Sequence, residues 1–231
     1  SQPSKNIYHK GWIDFNKNGV KDIYEDSYAP LEARVQNLLS QMTLEEKSCQ
    51  MATLYGSGRV LNDALPSDNW KNEVWKDGIG NIDEEHNGLG SFKSAYSFPY
   101  AHHVKTKHAI QRWFVENTRL GIPVDFTNEG IRGLCHDRAT YFPAQCGQGA
   151  TWNKELIAQI GEAEAVKLRT GIYQHILPHP RHRTRSPVGR CVETYGEDPY
   201  HAGQMGKQMI LSYKKTSWSL PQNILPSIAY R

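Results

Sequence analysis

Apolar side chains recur every three or four residues in four stretches of this 231-residue chain. The stretches are residues 30–42, 101–118, 153–171 and 199–211. This spacing places the apolar side chains along one face of a helix, and Pro30 and Asn153 are residues that favour a helix start. The pattern therefore predicts four helices, each with one face in the core.

A fifth helix and two β-strands are predicted from shorter patterns. Thr43 and Glu46 are spaced as in a capping box, which indicates a helix that begins directly after the first one. Residues 52–55 and 122–126 are short apolar runs that end in glycine-rich or polar turns, as buried strands do. Because strands alternate with helices along the chain, we expect an α/β fold built on a parallel sheet.

Composition changes this picture mainly through the distribution of charge. Hydrophobic residues make up 38% of the chain and its mean hydropathy is −0.66, while six Trp and twelve Tyr favour a folded core over disorder. Because no run of eighteen apolar residues exists, the sequence predicts no membrane span. The net charge of +3 comes from residues 172–188 and 213–231, which contain Arg or Lys but no acid. The Arg/His-rich residues 179–185 could form a nucleic-acid patch, but we expect no nucleic acid as partner.

Two motifs point to a known family. Residues 119–130 read RLGIPVDFTNEG, and residues 189–200 read GRCVETYGEDPY. Together they resemble the N-terminal domain of glycoside hydrolase family 3, which holds retaining β-glucosidases and related exo-acting enzymes. The resemblance covers roughly residues 6–171 and 189–212. It implies a partial (β/α)8 TIM-type barrel that is incomplete in this chain, with an N-terminal arm over residues 1–28 and a truncated barrel domain over residues 29–231.

The resemblance also implies where a sugar binds. Glu129, in the sequence NEGIRG, matches a family position whose carboxylate accepts hydrogen bonds from sugar hydroxyls, and Arg190 matches the final arginine of the family's DPRWGR motif. From the residues alone, Glu129 could also be a solvated loop carboxylate, and Arg190 could pair with Glu193 or Glu197. The expected partner is a β-linked oligosaccharide or an aryl glycoside.

The catalytic carboxyl groups are expected to lie outside this sequence. Retaining glycosidases need a carboxylate nucleophile and an acid/base carboxyl about 5 Å apart. In the family the nucleophile is an Asp on a later barrel strand and the acid/base follows it, so residue 231 precedes both. The family's sugar-binding Lys-His pair is also replaced, by Asn223 and Ile224. We therefore expect these residues to include no catalytic group, to need no organic cofactor and to hydrolyse nothing alone.

Two segments depart from the family pattern in a way that a shifted reading frame explains. With permitted synonymous codons, residues 172–188 read one nucleotide later give YTNIYSPILDIAQDPRWG, which contains a strand-like run and the start of the DPRWGR motif. Residues 213–231, read with the opposite shift, permit LQKNKLVATPKHFAVYSIP, which contains the Lys-His pair. We infer that the sequence is frame-disrupted. Because of their prolines, charges and lack of apolar runs, neither segment is predicted to form a native barrel strand.

A separate pattern near the N-terminus predicts a calcium site. The calcium-loop sequence D-x-N-x-N-G-x5-E is matched by Asp14, Asn16, Asn18, Gly19, Asp22 and Glu25. Gly19 would allow the sharp turn, Val20 would add its carbonyl oxygen, and Glu25 would add both carboxylate oxygens. The alternative is a surface loop of Asx-turns without a metal, because no clear helix precedes Asp14.

The start of the chain and the family resemblance together predict where the protein acts. The chain begins at Ser1 without Met, and residues 1–5 are polar, as in a mature product trimmed of a signal peptide. We expect a secreted or periplasmic protein. The expected function is that of an exo-acting retaining β-glycosidase. The alternative is a non-catalytic sugar- or calcium-binding module, which would bind glucose saturably without hydrolysing glycosides.

Overall fold

The computed structural model of the chain describes residues 6–56, 65–72, 76–84, 99–136, 139–168, 175–177 and 191–217. These residues form two compact units. The first unit contains the described residues up to Ile82 together with Lys105–Asp125. The second contains the described residues of Asp83–Val104 and those from Phe126 onward.

The described residues contain six α-helices, five of them where the sequence predicts a helix. They are α1 (Leu31–Gln41), α2 (Leu44–Gln50), α3 (Tyr100–Asn117), α4 (Gln145–Gly149), α5 (Lys154–Leu168) and α6 (Pro199–Ser217). The predicted capping box of α2 is confirmed, because the Thr43 side chain accepts a hydrogen bond from the Glu46 amide and the Glu46 carboxylate accepts one from the Thr43 amide. None of the described helices combines the length and the apolarity that a membrane span needs.

The strands of the described residues lie in two sheets. In the N-terminal arm, β1 (Tyr8–His9) pairs antiparallel with β2 (Trp12–Ile13). The second sheet contains, in spatial order, β3 (Thr53–Tyr55), β4 (Asn81–Asp83), β5 (Asp125–Glu129) and β6 (His175–Leu177). Strands β5 and β6 are parallel, with Thr127 opposite His175 and Glu129 opposite Leu177. Within the described residues this sheet is open, which agrees with the predicted α/β class and with an incomplete barrel.

Strand β5 begins later than the sequence predicts, because a side chain already forms hydrogen bonds with the backbone groups at the predicted start. The predicted strand covered residues 122–126, but Nε2 of Gln111 donates to the carbonyl oxygen of Val124 and the Val124 amide donates to Oε1 of Gln111, both at 2.8 Å. Pro123 has no amide hydrogen to offer to a neighbouring strand. Strand pairing therefore starts only at Asp125.

The prediction that residues 172–188 form no barrel strand is wrong for His175–Leu177, which is β6. The prolines and arginines that support the prediction all follow Leu177, so these three residues keep their amide hydrogens for pairing with β5. Residues 178–188 lie outside the described residues. In the second segment, residues 213–217 form the end of α6, and residues 218–231 lie outside the described residues.

The core of the first unit joins the N-terminal arm to α3. A buried apolar cluster is formed by Ile7, Phe15, Tyr24 and Val115. Leu38 of α1 packs against this cluster. Elsewhere in the unit, Trp70 is fully buried and meets Trp113 of α3 edge to face, with ring centroids 5.4 Å apart. Burial against α3 therefore holds the arm in place.

Helices α5 and α6 form most of the core of the second unit. The cluster contains Leu134, Ile157, Ile160, Ala165, Tyr195, Ala202, Met205, Met209 and Tyr213. Two glycines allow close approach of the backbone. A Cβ atom on Gly161 would lie 2.9 Å from the Cβ of Ser212, and one on Gly149 would lie 1.9 Å from the carbonyl oxygen of Tyr195. Both positions therefore require glycine, because any side chain would collide with the neighbouring segment of the chain.

Candidate functional site

Buried polar side chains lie at the carboxyl end of β5. Oγ1 of Thr127 donates a hydrogen bond of 2.8 Å to Oδ1 of Asp83, and both residues are buried. Asn128 is fully buried, and its Nδ2 donates at 2.8 Å to the carbonyl oxygen of Cys135. This second bond closes the loop that follows the strand. Buried hydrogen bonds of this kind fix the end of the strand, because breaking one leaves a polar group without water or partner.

Glu129 is the last residue of β5, and Leu177 of β6 lies opposite its backbone. In parallel α/β structures and barrels, ligands bind at the carboxyl ends of the strands, and Glu129 occupies such a position. Arg190 lies outside the described residues. Of its two alternative ion-pair partners, Glu193 is buried and Glu197 is exposed.

Two stacked histidines are also buried in the second unit. His103 has no exposed surface, and its ring lies 5.4 Å from that of His136 with an angle of 22° between the planes. From the sequence alone, we expect His102, His103 and His108 to lie on a solvated helix face. This is correct for His102 and His108, which are exposed, and wrong for His103. Helical spacing could have predicted that His103 is buried, since Ile110 and Phe114 follow it on the buried face of the helix.

Sequence patterns do not predict the buried state of Asp83, Asn128 or His136. Asn128 directly precedes Glu129 in a polar run, and that run gives no sign of which side chain is inside. Asp83 follows Ile82 at the end of a short strand, a position where a polar residue commonly faces a site. No local signal marks His136.

The loop over residues 14–25 is closed by hydrogen bonds from its own backbone. Asp14 is buried, and its carboxylate oxygens accept hydrogen bonds from the amides of Asn18 at 3.1 Å and Gly19 at 2.8 Å. Gly19 has a φ of 84°, the left-handed conformation that the predicted sharp turn requires. Glu25 is buried as well, and its oxygens accept two backbone amides of the loop, that of Phe15 at 2.7 Å among them. Burial raises the pKa of Glu25.

The remaining side chains of the calcium pattern face one another. Nδ2 of Asn16 and Nδ2 of Asn18 lie 2.7 Å and 2.8 Å from Oδ2 of Asp22. If the side-chain amides of Asn16 and Asn18 were turned by 180°, their oxygens would lie beside Asp22 instead of their nitrogens. A bound cation requires oxygens at these positions. Within the described ranges, no three His, Cys, Asp or Glu side chains gather as a metal cluster, so calcium here would depend on the Asn oxygens and the carbonyl of Val20 as well. With these oxygens included, the types of donor atom and their order along the chain are those of a calcium loop.

Lys17 attaches the same loop to the end of α3. Its Nζ donates hydrogen bonds to the carbonyl oxygens of Phe15, Val115 and Thr118, at 2.6, 2.7 and 2.6 Å. Carbonyl groups in the last turn of a helix lack intrahelical donors, so an ammonium group is well suited to them. Burial lowers the pKa of Lys17 to about 8, and the charge of Asp14 opposes this shift. The loop is therefore held to α3 by one of its own cations.

The chain belongs to glycoside hydrolase family 3, because residues 43–227 match the Glycosyl hydrolase family 3 N terminal domain. A β-glucosidase of Bacteroides ovatus is 26% identical over 185 residues, which cover 79% of this chain and 19% of the relative. A β-xylosidase of Formosa agariphila is 32% identical over 101 residues, which cover 41% of this chain and 14% of the relative.

Solved structures agree with the fold. The exo-1,3/1,4-β-glucanase of a Pseudoalteromonas species superimposes with a TM-score of 0.60 at 23% identity, over 88% of this chain and 24% of that chain. A β-glucosidase involved in saponin metabolism from intestinal bacteria gives a TM-score of 0.53 at 28% identity, over 79% of this chain and 21% of that chain. Such neighbours are TIM-barrel N-terminal domains of the family. The chain spans less than a quarter of the length of the curated relatives it matches, as the shares of 23% and 19% show.

Proposed function

We propose that the protein containing this chain is an exo-acting retaining β-glycosidase of the β-glucosidase type, which hydrolyses O-glycosyl bonds of β-linked oligosaccharides or aryl glycosides. The observation that carries this proposal is the position of Glu129, at the carboxyl end of a parallel strand in a chain of glycoside hydrolase family 3. The names of the relatives, β-glucosidase and β-xylosidase, support a β-linked substrate.

In this proposal the chain supplies sugar contacts and no bond-breaking group. The carboxylate of Glu129 accepts hydrogen bonds from hydroxyls of the terminal sugar, and the planar guanidinium of Arg190 donates to two hydroxyls. Thr127 and Asn128 fix the strand end that contains Glu129. A retaining mechanism also needs a nucleophile and an acid/base carboxyl, which other parts of the whole protein would provide. These 231 residues alone therefore bind sugar weakly and hydrolyse no glycoside.

An activity assay of the purified chain tests the proposal that these residues alone hydrolyse no glycoside. With aryl β-glucoside and aryl β-xyloside as substrates, we expect no release of nitrophenol above the uncatalysed rate. Turnover that disappears in the Glu129→Ala variant would contradict the proposal, because a contaminating enzyme would not respond to that substitution.

Binding of glucose tests the role of Glu129 separately. We expect saturable line broadening in the NMR spectrum of the sugar, weakened in Glu129→Gln and unchanged in Glu155→Gln. Glu155 is an exposed carboxylate at the start of α5 and serves as the matched control. Equal binding by the wild type and Glu129→Gln, or no binding at all, would remove Glu129 from the sugar site.

We also propose that the loop over residues 14–25 binds one calcium ion. The ligands are the side chains of Asp14, Asn16, Asn18, Asp22 and Glu25 and the carbonyl oxygen of Val20. The six-position sequence pattern and the left-handed Gly19 support this proposal. An ion that binds only the folded state stabilises it in proportion to its occupancy.

Calorimetric titration of calcium into the chelator-treated protein tests this loop. We expect about one site, a higher melting temperature with calcium, and loss of both effects in Asp14→Ala. Asp26→Asn is the matched control, because Asp26 follows the loop and pairs with Lys21 outside the ligand set. If no heat is released and the melting temperature stays the same, the loop is a set of Asx-turns without a metal.

We further propose that the protein is secreted or periplasmic and that its reading frame is altered in residues 172–188 and 213–231. Fractionation of the source cells tests the first point, and recovery of the protein from the cytoplasmic fraction alone would contradict it. Sequencing of the coding DNA across residues 171–190 and beyond residue 212 tests the second. DNA whose alternative frames do not encode the family motifs would contradict the frame proposal.

A further inference from the structure

The interface of α5 and α6 contains a buried carboxyl group that the proposed function does not use. Glu164 on α5 has no exposed surface, and its Oε2 accepts a hydrogen bond from the hydroxyl of Tyr213 on α6. Among the described residues, its Oε1 has no hydrogen-bond partner. A carboxylate that is buried with an oxygen unsatisfied is strongly disfavoured relative to the neutral acid. The site therefore favours the protonated form of Glu164.

Among the residues that the structure describes, the groups that interact with Glu164 are neutral. Helix α6 brings Tyr213, and the segment after the turn Cys191–Glu193 brings Tyr195. The buried hydroxyl of Tyr195 has no hydrogen-bond partner within the described ranges, and its pKa is raised by burial and by the charge of Glu164. The turn after β5 brings the backbone amide of Gly133. In the described part of the chain, no basic side chain is among the groups that shift Glu164. An ionised Glu164 would thus have no compensating positive charge among the described residues.

We propose that Glu164 is a protonated carboxylic acid in the folded protein, and that loss of its proton loosens the packing of α5 against α6. The helix pair then responds to pH near neutrality. Burial raises the pKa of Glu164 to about 7, which the hydrogen bond from Tyr213 and the amide of Gly133 oppose. The raised pKa agrees with the burial of Glu164 and with its unsatisfied Oε1.

The direction of the pH effect follows from proton binding. Between the ordinary value of 4.5 and about 7, the folded state holds a proton on Glu164 that the unfolded state has released. The stability that Glu164 contributes is therefore complete below pH 4.5 and is lost as the pH rises through about 7. From about pH 5 to about pH 8, the unfolding equilibrium constant should rise on the order of 100-fold because of this one group.

Urea unfolding of the wild type and of Glu164→Gln across this pH range tests the proposal. Glutamine has the shape of the protonated acid and cannot ionise, so the variant should lose the 100-fold dependence. The other titratable groups are present in both proteins and cancel in the difference. Glu162→Gln is the matched control, since Glu162 lies on the same helix and pairs with Lys215 at the surface, 2.9 Å away. It should keep the full dependence.

The outcomes separate the possibilities clearly. Equal pH profiles for the wild type and Glu164→Gln would overturn the proposal. If Glu164→Gln does not fold, infrared spectra of the wild type give the answer, because a protonated carboxyl band should persist above pH 6, where ordinary carboxylates are ionised. Absence of that band would also overturn it. Neither result depends on sugar binding or on calcium.

Discussion

Removal of the charge of Glu46 should destabilise the first unit by about 1.5 kcal/mol, because one carboxylate joins two distant parts of the chain. Glu46 is buried at the start of α2, where it accepts the amide of Thr43 at 2.9 Å. Its Oε1 also accepts a hydrogen bond of 2.9 Å from Nε of Arg119, and its Oε2 accepts one from Nη2 of the same guanidinium. Arg119 in turn donates to the carbonyl oxygen of Gln41, at 2.7 Å.

The magnitude follows from these contacts. Hydrogen bonds to charged groups contribute about 1.5–3 kcal/mol each when buried, but the Arg119 side chain is 52% exposed, so water weakens the ion pair. We therefore assign about 1.5 kcal/mol to the two bonds together. Glu46→Gln should lose this amount, and Glu46→Ala should lose about 1 kcal/mol more, because the capping bond to Thr43 is lost as well.

A double-mutant cycle with Glu46→Gln and Arg119→Gln, measured by urea unfolding, isolates the pair. We expect a coupling energy of about 1 kcal/mol that decreases at high salt. A coupling energy within about 0.3 kcal/mol of zero would refute this account of the contact.

The pH dependence provides an independent check. Burial raises the pKa of Glu46, but the hydrogen bond from Arg119 and the amide of Thr43 outweigh it and leave the pKa below its ordinary value. The contribution of this carboxylate is therefore present above pH 4.5 and is lost as the pH falls through the lower folded value. This slope is opposite in sign to the one expected for Glu164, so the two groups can be distinguished in one set of pH titrations.

Three further substitutions test the second unit by thermal unfolding. Gly149→Ala should cost more than about 3 kcal/mol, because its Cβ would collide with the backbone of Tyr195, whereas Gly203→Ala meets no atom within 4 Å and should stabilise α6 by about 0.5–1 kcal/mol. Equal melting temperatures for these two variants would contradict the close approach. Thr127→Val should cost about 1–3 kcal/mol, because the buried carboxylate of Asp83 loses a donor, and an unchanged melting temperature would show that this hydrogen bond is replaced without loss.

Local signals were enough to predict most helices of this chain. Helix α1 follows its apolar period and α2 follows its capping box. Helix α5 is capped by Asn153, whose Oδ1 accepts a hydrogen bond of 3.0 Å from the amide of Leu156. Each of these features involves residues within one or two turns of each other. The family motifs then predicted the fold class, which the likeness to solved structures confirms.

The errors arose where a distant group decides the structure. The start of β5 depends on the side chain of Gln111, thirteen residues upstream, which no local pattern reveals. The strand β6 exists because β5 offers a partner to three residues of an otherwise unfavourable sequence. For the candidate site, the sequence placed Glu129 in a turn just after a strand, whereas Glu129 is the last residue of β5. The sequence also did not predict the buried bonds of Thr127 and Asn128, which depend on residues brought together by folding.

The close packing of α5 on α6 at Gly161 has a consequence for tolerance to sequence change. The two helices are joined by about thirty residues, from Leu168 to Pro199, and the entropy lost in closing such a connection grows only with the logarithm of its length. Doubling its length would cost only about 0.6 kcal/mol. A longer connection would therefore leave the helix pair docked, provided that it kept the strand β6 and the buried Tyr195 of the core.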